Sequence, residues 1–229
     1  MYYKDNCYRT ESGTEAIVYA LQELGSKKIM VPTWTCSSLI RAIAQHGAEH
    51  VIVDSDFDLQ IDVNEVIKYA DTCDTVIVPH MCGIRADVKS IRENTTLKII
   101  EDVSQCHGLP ELGMYADVIV SSTAKSKWID LKKGGLLFSN KYHDLYPFDF
   151  NRIKTIPQNL LRRQTIASEI IAAGVDLIGN ESSYLRAMYF TKGNSDRKLY
   201  EPLHRIYKSG DCPKAEGYSD NVNWISIFV

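Results

Sequence analysis

Short apolar runs alternate with helical segments along the first 140 residues of this chain. There are six such runs, of which the first five are rich in β-branched residues: KIMVP at 28–32, HVIVD at 50–54, TVIVP at 75–79, LKIIED at 97–102, DVIVSS at 117–122 and GGLLFSN at 134–140. Runs this short and continuous are typical of strands buried on both faces. Apolar residues at helical spacing between the runs predict helices near 14–24, 37–45, 63–69 and 88–92. This alternation predicts an α/β domain whose parallel sheet is covered by helices on both faces.

The pattern changes after about residue 141. The segment YHDLYPFDF is typical of a linker, and we predict helices near 158–173 and 183–190 beyond it. An irregular tail follows, and NWISIFV at 223–229 predicts a terminal strand. We therefore divide the chain into an α/β domain, residues 1–145, and a smaller α-rich C-terminal part, residues 146–229.

Composition limits the classes of partner. With 229 residues and a formal net charge of −3, the chain has no overall charge that favours nucleic acid or an anionic membrane. We expect neither as a partner. The sequence has no apolar run as long as the roughly 18 residues of a transmembrane helix, and its N-terminus lacks the apolar core of a signal peptide. The expected location is the cytoplasm.

Candidate site residues follow the strands, because ligands of open α/β sheets bind at the carboxyl ends of the strands. Ser-Gly-Thr-Glu at 12–15 opens a helix whose first N–H groups suit a phosphate, although an ordinary helix cap has the same pattern. Asp102 follows a strand and is able to pair with a cationic ligand nitrogen, with Gln105 beside it; the alternative is a turn or cap residue. Lys125 and Lys127 follow DVIVSS. A lysine in a partly desolvated pocket loses proton affinity, and its amine becomes a competent nucleophile. The alternative is that both are ordinary lysines of a surface loop.

Two pairs of possible metal donors stand close together in the sequence. They are His80 with Cys82, and Cys106 with His107. Neither pair has the spacing of a structural zinc site, so we predict no metal.

Taken together and in order, these segments resemble the DegT/DnrJ/EryC1/StrS family of pyridoxal-phosphate (PLP) sugar aminotransferases. The resemblance covers roughly residues 10–140 and is carried by SGTEAIVYAL, IMVPTWTCSSLIRAIAQHGAEHVIVDSD, TVIVPHMCGIRADVKSIRE, LKIIEDVSQCHG, ADVIVSSTAKSK and KKGGLLFSN. It implies the large domain of a fold type I PLP enzyme, with a mainly parallel, seven-stranded sheet. It also implies a homodimer.

The resemblance also implies roles for single residues. Gly13, Thr14 and the N–H of Glu15 would hold the PLP phosphate, together with the Ser122 hydroxyl. Asp102 would pair with the pyridinium nitrogen and Gln105 would contact the ring. The position that carries a stacking aromatic ring in the family is Cys36 here, with Trp34 two residues earlier.

The Schiff-base lysine has two candidates. Counting forward from Asp117 gives Lys127, whereas counting back from Gly134 gives Ser126, between the two lysines. We choose Lys127 as the catalytic lysine and keep Lys125 as the second choice.

The implied function is transfer of an amino group from an amino acid, such as glutamate, to a keto-sugar that is nucleotide-linked. Such a reaction belongs to surface polysaccharide or secondary-metabolite biosynthesis. Two alternatives remain: a PLP-dependent sugar dehydratase, whose family members usually replace the lysine with histidine, and a shortened scaffold protein without catalysis.

Overall fold

The computed structural model describes residues 6–125, 127–141, 146–149, 156–172, 186–190 and 222–226. The strands in these ranges are β1 (Cys7–Thr10), β2 (Lys28–Pro32), β3 (Glu49–Val53), β4 (Thr75–Pro79), β5 (Lys98–Asp102), β6 (Val118–Ser122), β7 (Gly135–Phe138), β8 (Tyr146–Pro147), β9 (Arg186–Phe190) and β10 (Val222–Ser226). The α-helices are α1 (Gly13–Leu24), α2 (Ser37–His46), α3 (Val63–Tyr69), α4 (Val88–Asn94) and α5 (Ile156–Ala172). Each helix and strand predicted between residues 14 and 140 is present, with ends within two residues of the prediction.

Eight of these strands form one sheet in the order β3-β2-β4-β5-β6-β7-β1-β8. The pairs from β3 to β6 are parallel, while β7, β1 and β8 add antiparallel pairs at one side. The prediction of a mainly parallel α/β sheet is confirmed. The sheet has one strand more than the seven implied by resemblance, because Tyr146–Pro147 pairs with β1.

The two faces of the sheet are buried separately. Ile29 and Val31 of β2 pack among α1 and α2, where Leu21 and Ile43 are fully buried. Met30, between them, points to the opposite face and packs with residues of α3 and α4. This alternation follows from the two-residue period of a strand, and both faces of β2 are apolar because both are covered. Because both faces are covered by apolar packing, polar side chains are accessible mainly where the strands end, at their carboxyl ends.

The C-terminal part departs from the prediction at one element. Helix α5 and strand β10 are confirmed, but the helix predicted near 183–190 is wrong, since Arg186–Phe190 is a strand that pairs antiparallel with β10. Leu, Ala and Met in YLRAMYF favour a helix, and pairing with a distant strand overrides that preference. The predicted irregular tail lies outside the described residues. The proposed boundary at 145/146 stays a prediction, although β8 just beyond it extends the first sheet.

No helix within the described ranges is long and apolar enough to cross a membrane.

We predict that Gly135→Ala destabilises the fold far more than Gly25→Ala. A Cβ at Gly135 would collide with the backbone carbonyl of Ser12 and lie 2.6 Å from Thr10 Oγ1, so β7 and the start of α1 would have to separate. We expect the free energy of unfolding to fall by about 3 kcal/mol or more. Gly25, which ends α1 in a left-handed conformation with open space around it, is the control, for which we expect a loss of about 1 kcal/mol. Urea unfolding measures both, and equal losses would contradict the steric argument.

Candidate active site

A cavity of about 190 Å³ opens at the carboxyl ends of the parallel strands. Its walls come from the start of α1, the start of α2 and the residues that follow β4, β5 and β6. Seven predicted site residues line it: Gly13, Thr14, Cys36, Asp102, Gln105, Ser122 and Lys127. Residues separated by more than 100 positions in sequence are thus brought to one cavity by the strand order.

The start of α1 forms one wall. Ser12 caps the helix by accepting the N–H of Glu15 at 3.1 Å, and the Glu15 carboxylate accepts the N–H of Glu11 at 2.6 Å. The Ser12 cap satisfies the Glu15 N–H, and Glu15 is not among the lining residues. The N–H groups at Gly13 and Thr14 precede the first intrahelical bonds and carry the positive end of the helix dipole. The N–H groups that the cap leaves available at this wall are those of Gly13 and Thr14, and the predicted phosphate contacts of all three residues stay predictions.

Ser122 lies directly against Gly13. A Cβ built on Gly13 would lie 2.7 Å from the Ser122 Cβ, so only glycine allows this approach. Ser122 is itself held, because its N–H donates to Ser104 Oγ at 2.7 Å and its Oγ accepts the Ala124 N–H at 3.3 Å. The Ser122 O–H therefore lies beside the first turn of α1 and is able to donate to an anion there.

Asp102 ends β5 and lines the cavity with only 9% of its surface exposed. Its Oδ1 accepts the Ser104 N–H at 2.9 Å, and its Oδ2 takes no hydrogen bond from the described part of the chain. A carboxylate this shielded favours a cationic partner in the cavity.

Gln105 spans from the β5 loop to the turn after β4. Its Oε1 accepts the Cys82 N–H at 3.1 Å, and its Nε2 lies 3.5 Å from Met81 Sδ. Cys82 has a φ of 59°, which is unfavourable for a residue other than glycine. The hydrogen bond that its N–H donates to Gln105 supports this turn. Gln105 thus shapes the cavity wall and also lines it.

His80 is a lining residue whose role the sequence analysis missed. The Ala86 N–H donates to His80 Nδ1 at 2.9 Å, so the ring proton is on Nε2, which donates to Glu101 Oε1 at 2.8 Å. Both oxygens of Glu101 also accept the Gly113 N–H at 3.0 Å. This buried network fixes the orientation of the His80 ring at the cavity wall. Its sequence signal was a histidine directly after one strand and a glutamate near the end of the next.

The two candidate lysines are placed differently. Lys127 is half-buried and lines the cavity, whereas Lys125 is exposed and does not. Ser126, between them, lies outside the described residues. The placement favours Lys127 as the amine of the site.

Cys36 and Trp34 also differ in their position relative to the cavity. Cys36 precedes α2 and lines the cavity, while Trp34 is 2% exposed and is absent from the lining. The Trp34 ring is packed in the protein interior and is not accessible from the cavity. Of the two predicted ring contacts, Cys36 is therefore the one that lies at the cavity. No group of three or more His, Cys, Asp or Glu side chains is arranged to hold a metal in the described ranges.

The mainly parallel sheet with helices on both faces is a fold that the chain shares with solved aminotransferases. The chain belongs to the DegT/DnrJ/EryC1/StrS aminotransferase family, whose model matches residues 2–143. This confirms the resemblance found in the sequence. The family is PLP-dependent.

Two curated relatives and one solved structure illustrate the similarity. A 3-oxo-glucose-6-phosphate:glutamate aminotransferase of Bacillus subtilis (strain 168) is 31% identical over 121 residues, 49% of this chain and 27% of that protein. GDP-perosamine synthase of Escherichia coli O157:H7 is 29% identical over 141 residues, 56% of this chain and 39% of that protein. NtdA of Bacillus subtilis, solved with bound cofactor PMP, is 18% identical with a TM-score of 0.79, over 98% of this chain and 69% of that chain. The chain spans less than half the length of these curated relatives.

The buried His107, two residues after Gln105, is expected to make stability depend on pH. It is fully buried beside Ser121, with 3.2 Å between His107 Nε2 and Ser121 Oγ, and burial lowers its pKa from 6.5 to about 3. Below pH 6.5 the unfolded chain binds a proton that the folded chain does not, so stability falls as the pH falls towards 3. At pH 5 we expect the free energy of unfolding to be about 2 kcal/mol lower than at pH 7 because of this group.

The measurement is urea unfolding of the wild type and of His107→Gln at pH 7, 6 and 5. The variant keeps a polar group but cannot bind the proton, so its stability should fall less steeply with pH. His50→Gln, at an exposed histidine, is the control and should keep the wild-type slope. A slope in His107→Gln as steep as in the wild type would contradict the prediction.

Proposed function

We propose that this chain is a PLP-dependent aminotransferase that transfers an amino group from an amino acid to a keto-sugar. The observation that carries the proposal is the meeting of the α1 start, Asp102 and Lys127 at one cavity. Each of these belongs to a different segment of the chain and suits a different part of PLP.

The residues present fit the cofactor. The N–H groups at the start of α1 and the Ser122 O–H would hold its phosphate, in a cradle that a Cβ on Gly13 would fill. The shielded Asp102 carboxylate would pair with the ring nitrogen and keep it protonated. Gln105 would contact the ring or its oxygen, with Cys36 near its face. When bound, PLP supplies an electron sink for the carbon that gives up its proton.

Lys127 would have two tasks. Its Nζ is the amine in the cavity that would bind the cofactor covalently, and the same Nζ would then accept and return the proton during the transfer. Both tasks need the amine to be held near the cofactor and shielded from bulk water. The half-buried position of Lys127 supports this assignment over the exposed Lys125.

We propose glutamate as the amino donor and a nucleotide-linked keto-sugar as the acceptor. Support comes from relatives whose names specify a glutamate aminotransferase and a GDP-sugar synthase. The reaction would serve surface polysaccharide or secondary-metabolite biosynthesis, in the cytoplasm, and the active form would be a homodimer.

The dehydratase alternative is disfavoured by Lys127, since the resemblance associates that chemistry with histidine at this position. The scaffold alternative makes a different prediction, namely that the protein binds no PLP or that bound PLP turns over no amino donor.

We predict that Lys127→Arg abolishes covalent attachment of PLP and that Lys125→Arg does not. The matched change keeps the positive charge at both positions and removes the nucleophilic amine. Purified proteins are incubated with PLP, reduced with borohydride and digested, and the labelled peptide is found by mass spectrometry. The wild type and Lys125→Arg should carry the label on Lys127. A label on Lys125 would reassign the lysine, and no label in the wild type would remove the proposal.

We also predict that the PLP-loaded protein converts glutamate to 2-oxoglutarate in a single turnover, and that Asp102→Asn slows this by about a hundredfold or more. The reason is that the amide has no charge to keep the ring nitrogen protonated. The readout is 2-oxoglutarate by mass spectrometry, followed by amination of added nucleotide keto-sugars. PLP binding with no product from any amino acid would support the scaffold alternative. A sugar that loses oxygen without gaining nitrogen would support the dehydratase.

A further inference from the structure

The residue after Lys127 is anchored from two sides. Trp128 is 6% exposed, and the edge of the His107 ring lies against it, with ring centroids 6.4 Å apart at 67°. On another side the Arg163 guanidinium carbon lies 4.9 Å from the Trp128 ring centroid. That distance is within the range of a cation–π contact.

The loop that carries Lys127 is closed at its base. The Thr123 N–H donates to the Gly134 carbonyl at 2.9 Å, and Thr123 Oγ1 donates to the Lys133 carbonyl at 2.8 Å. Between these ends, Trp128 and Ile129 are the loop residues that join the hydrophobic core. The buried Trp128 N–H meets no acceptor among the residues that the structure describes, so ring contacts rather than a hydrogen bond determine where the indole sits.

Arg163 comes from a different part of the chain. It lies on α5, beyond the residues 2–143 that match the family model, and shares a helix face with Leu160 and the buried Ala167. Burial lowers the pKa of the Arg163 guanidinium. Loss of water around a cation strengthens its attraction to a ring.

We propose that Arg163 and Trp128 are positioning residues that hold Lys127 at the cavity. Arg163 clamps the Trp128 ring against His107, and because Trp128 is the next residue in the chain, the clamp fixes the backbone from which the Lys127 side chain extends. A displacement of about 1 Å at a reacting group is able to reduce rates by about a hundredfold, so such a clamp matters for an amine that must reach a cofactor. This inference rests on the proposed function, in which Lys127 binds PLP, and assigns α5 a part in it.

The test compares Arg163→Ala, Arg163→Lys and Arg162→Ala. Arg162 is the exposed neighbour on the same helix and supplies the matched control. In the PLP-free proteins, amide hydrogen exchange of residues 124–133 should be roughly tenfold faster in Arg163→Ala than in the wild type. Arg163→Lys, which keeps a cation, should recover part of the protection, and Arg162→Ala should match the wild type.

The second readout is the rate of covalent PLP attachment to Lys127, which should be roughly tenfold slower in Arg163→Ala. Trp128→Leu keeps an apolar residue but removes the ring, so it should reproduce both effects, and the Arg163→Ala/Trp128→Leu double variant should show no further change. Additive effects in the double variant, or equal behaviour of Arg163→Ala and Arg162→Ala, would overturn the clamp.

Failure of the clamp and failure of the proposed function give different results. If the wild type binds no PLP, the proposed function is wrong, and so is the proposal that the clamp positions Lys127 for PLP. A wild type that binds PLP through Lys127, with exchange and attachment unchanged in Arg163→Ala, overturns the clamp alone.

Discussion

The close approach of the α1 start to β6 and β7 is the constraint on which the site depends. Gly13 lies against Ser122, and Gly135 lies against the backbone of Ser12, with no space for a Cβ at either glycine. Ser12 also forms a bridge with Gly134, where the lysine loop closes. One contact therefore sets the wall suited to a phosphate and also the base of the loop that presents Lys127.

Local pattern was sufficient for the central sheet and insufficient at its edges. The strands from β2 to β7 and their helices were predicted because each is a continuous apolar run or a run with helical spacing. β1 and β8 have four and two residues and little apolar character, so they exist through pairing with β7 and with each other. β9 likewise depends on β10, more than 30 residues away in sequence. The sequences of β1, β8 and β9 alone do not indicate these pairings.

The rule that ligands bind at strand ends located most of the candidate site, and the exceptions have separate physical causes. Asp102, Ser122 and Lys127 line the cavity because each follows or ends a parallel strand. Spacing could not choose between Lys125 and Lys127, since the loop between β6 and β7 has no regular period, and burial distinguishes them. The Glu15 N–H is taken by the Ser12 cap, an interaction that the Ser-Gly-Thr-Glu spacing already allowed. Trp34 was considered for its ring alone, and its burial depends on packing that no local pattern shows.

The stretch Glu-Asp at 101–102 shows how one strand end supports both structure and chemistry. Successive side chains of a strand point to opposite faces, so the two carboxylates face different surroundings although they are adjacent. Glu101 is 1% exposed, and hydrogen bonds from His80 and the Gly113 N–H offset the cost of burying its carboxylate. Asp102, 9% exposed, lines the cavity and retains an oxygen with no described donor. Glu101 fixes His80 and the turn after β4, whereas Oδ2 of Asp102 remains available to a cation. In the proposed function, a protonated ring nitrogen would supply at Asp102 the partner that His80 supplies at Glu101.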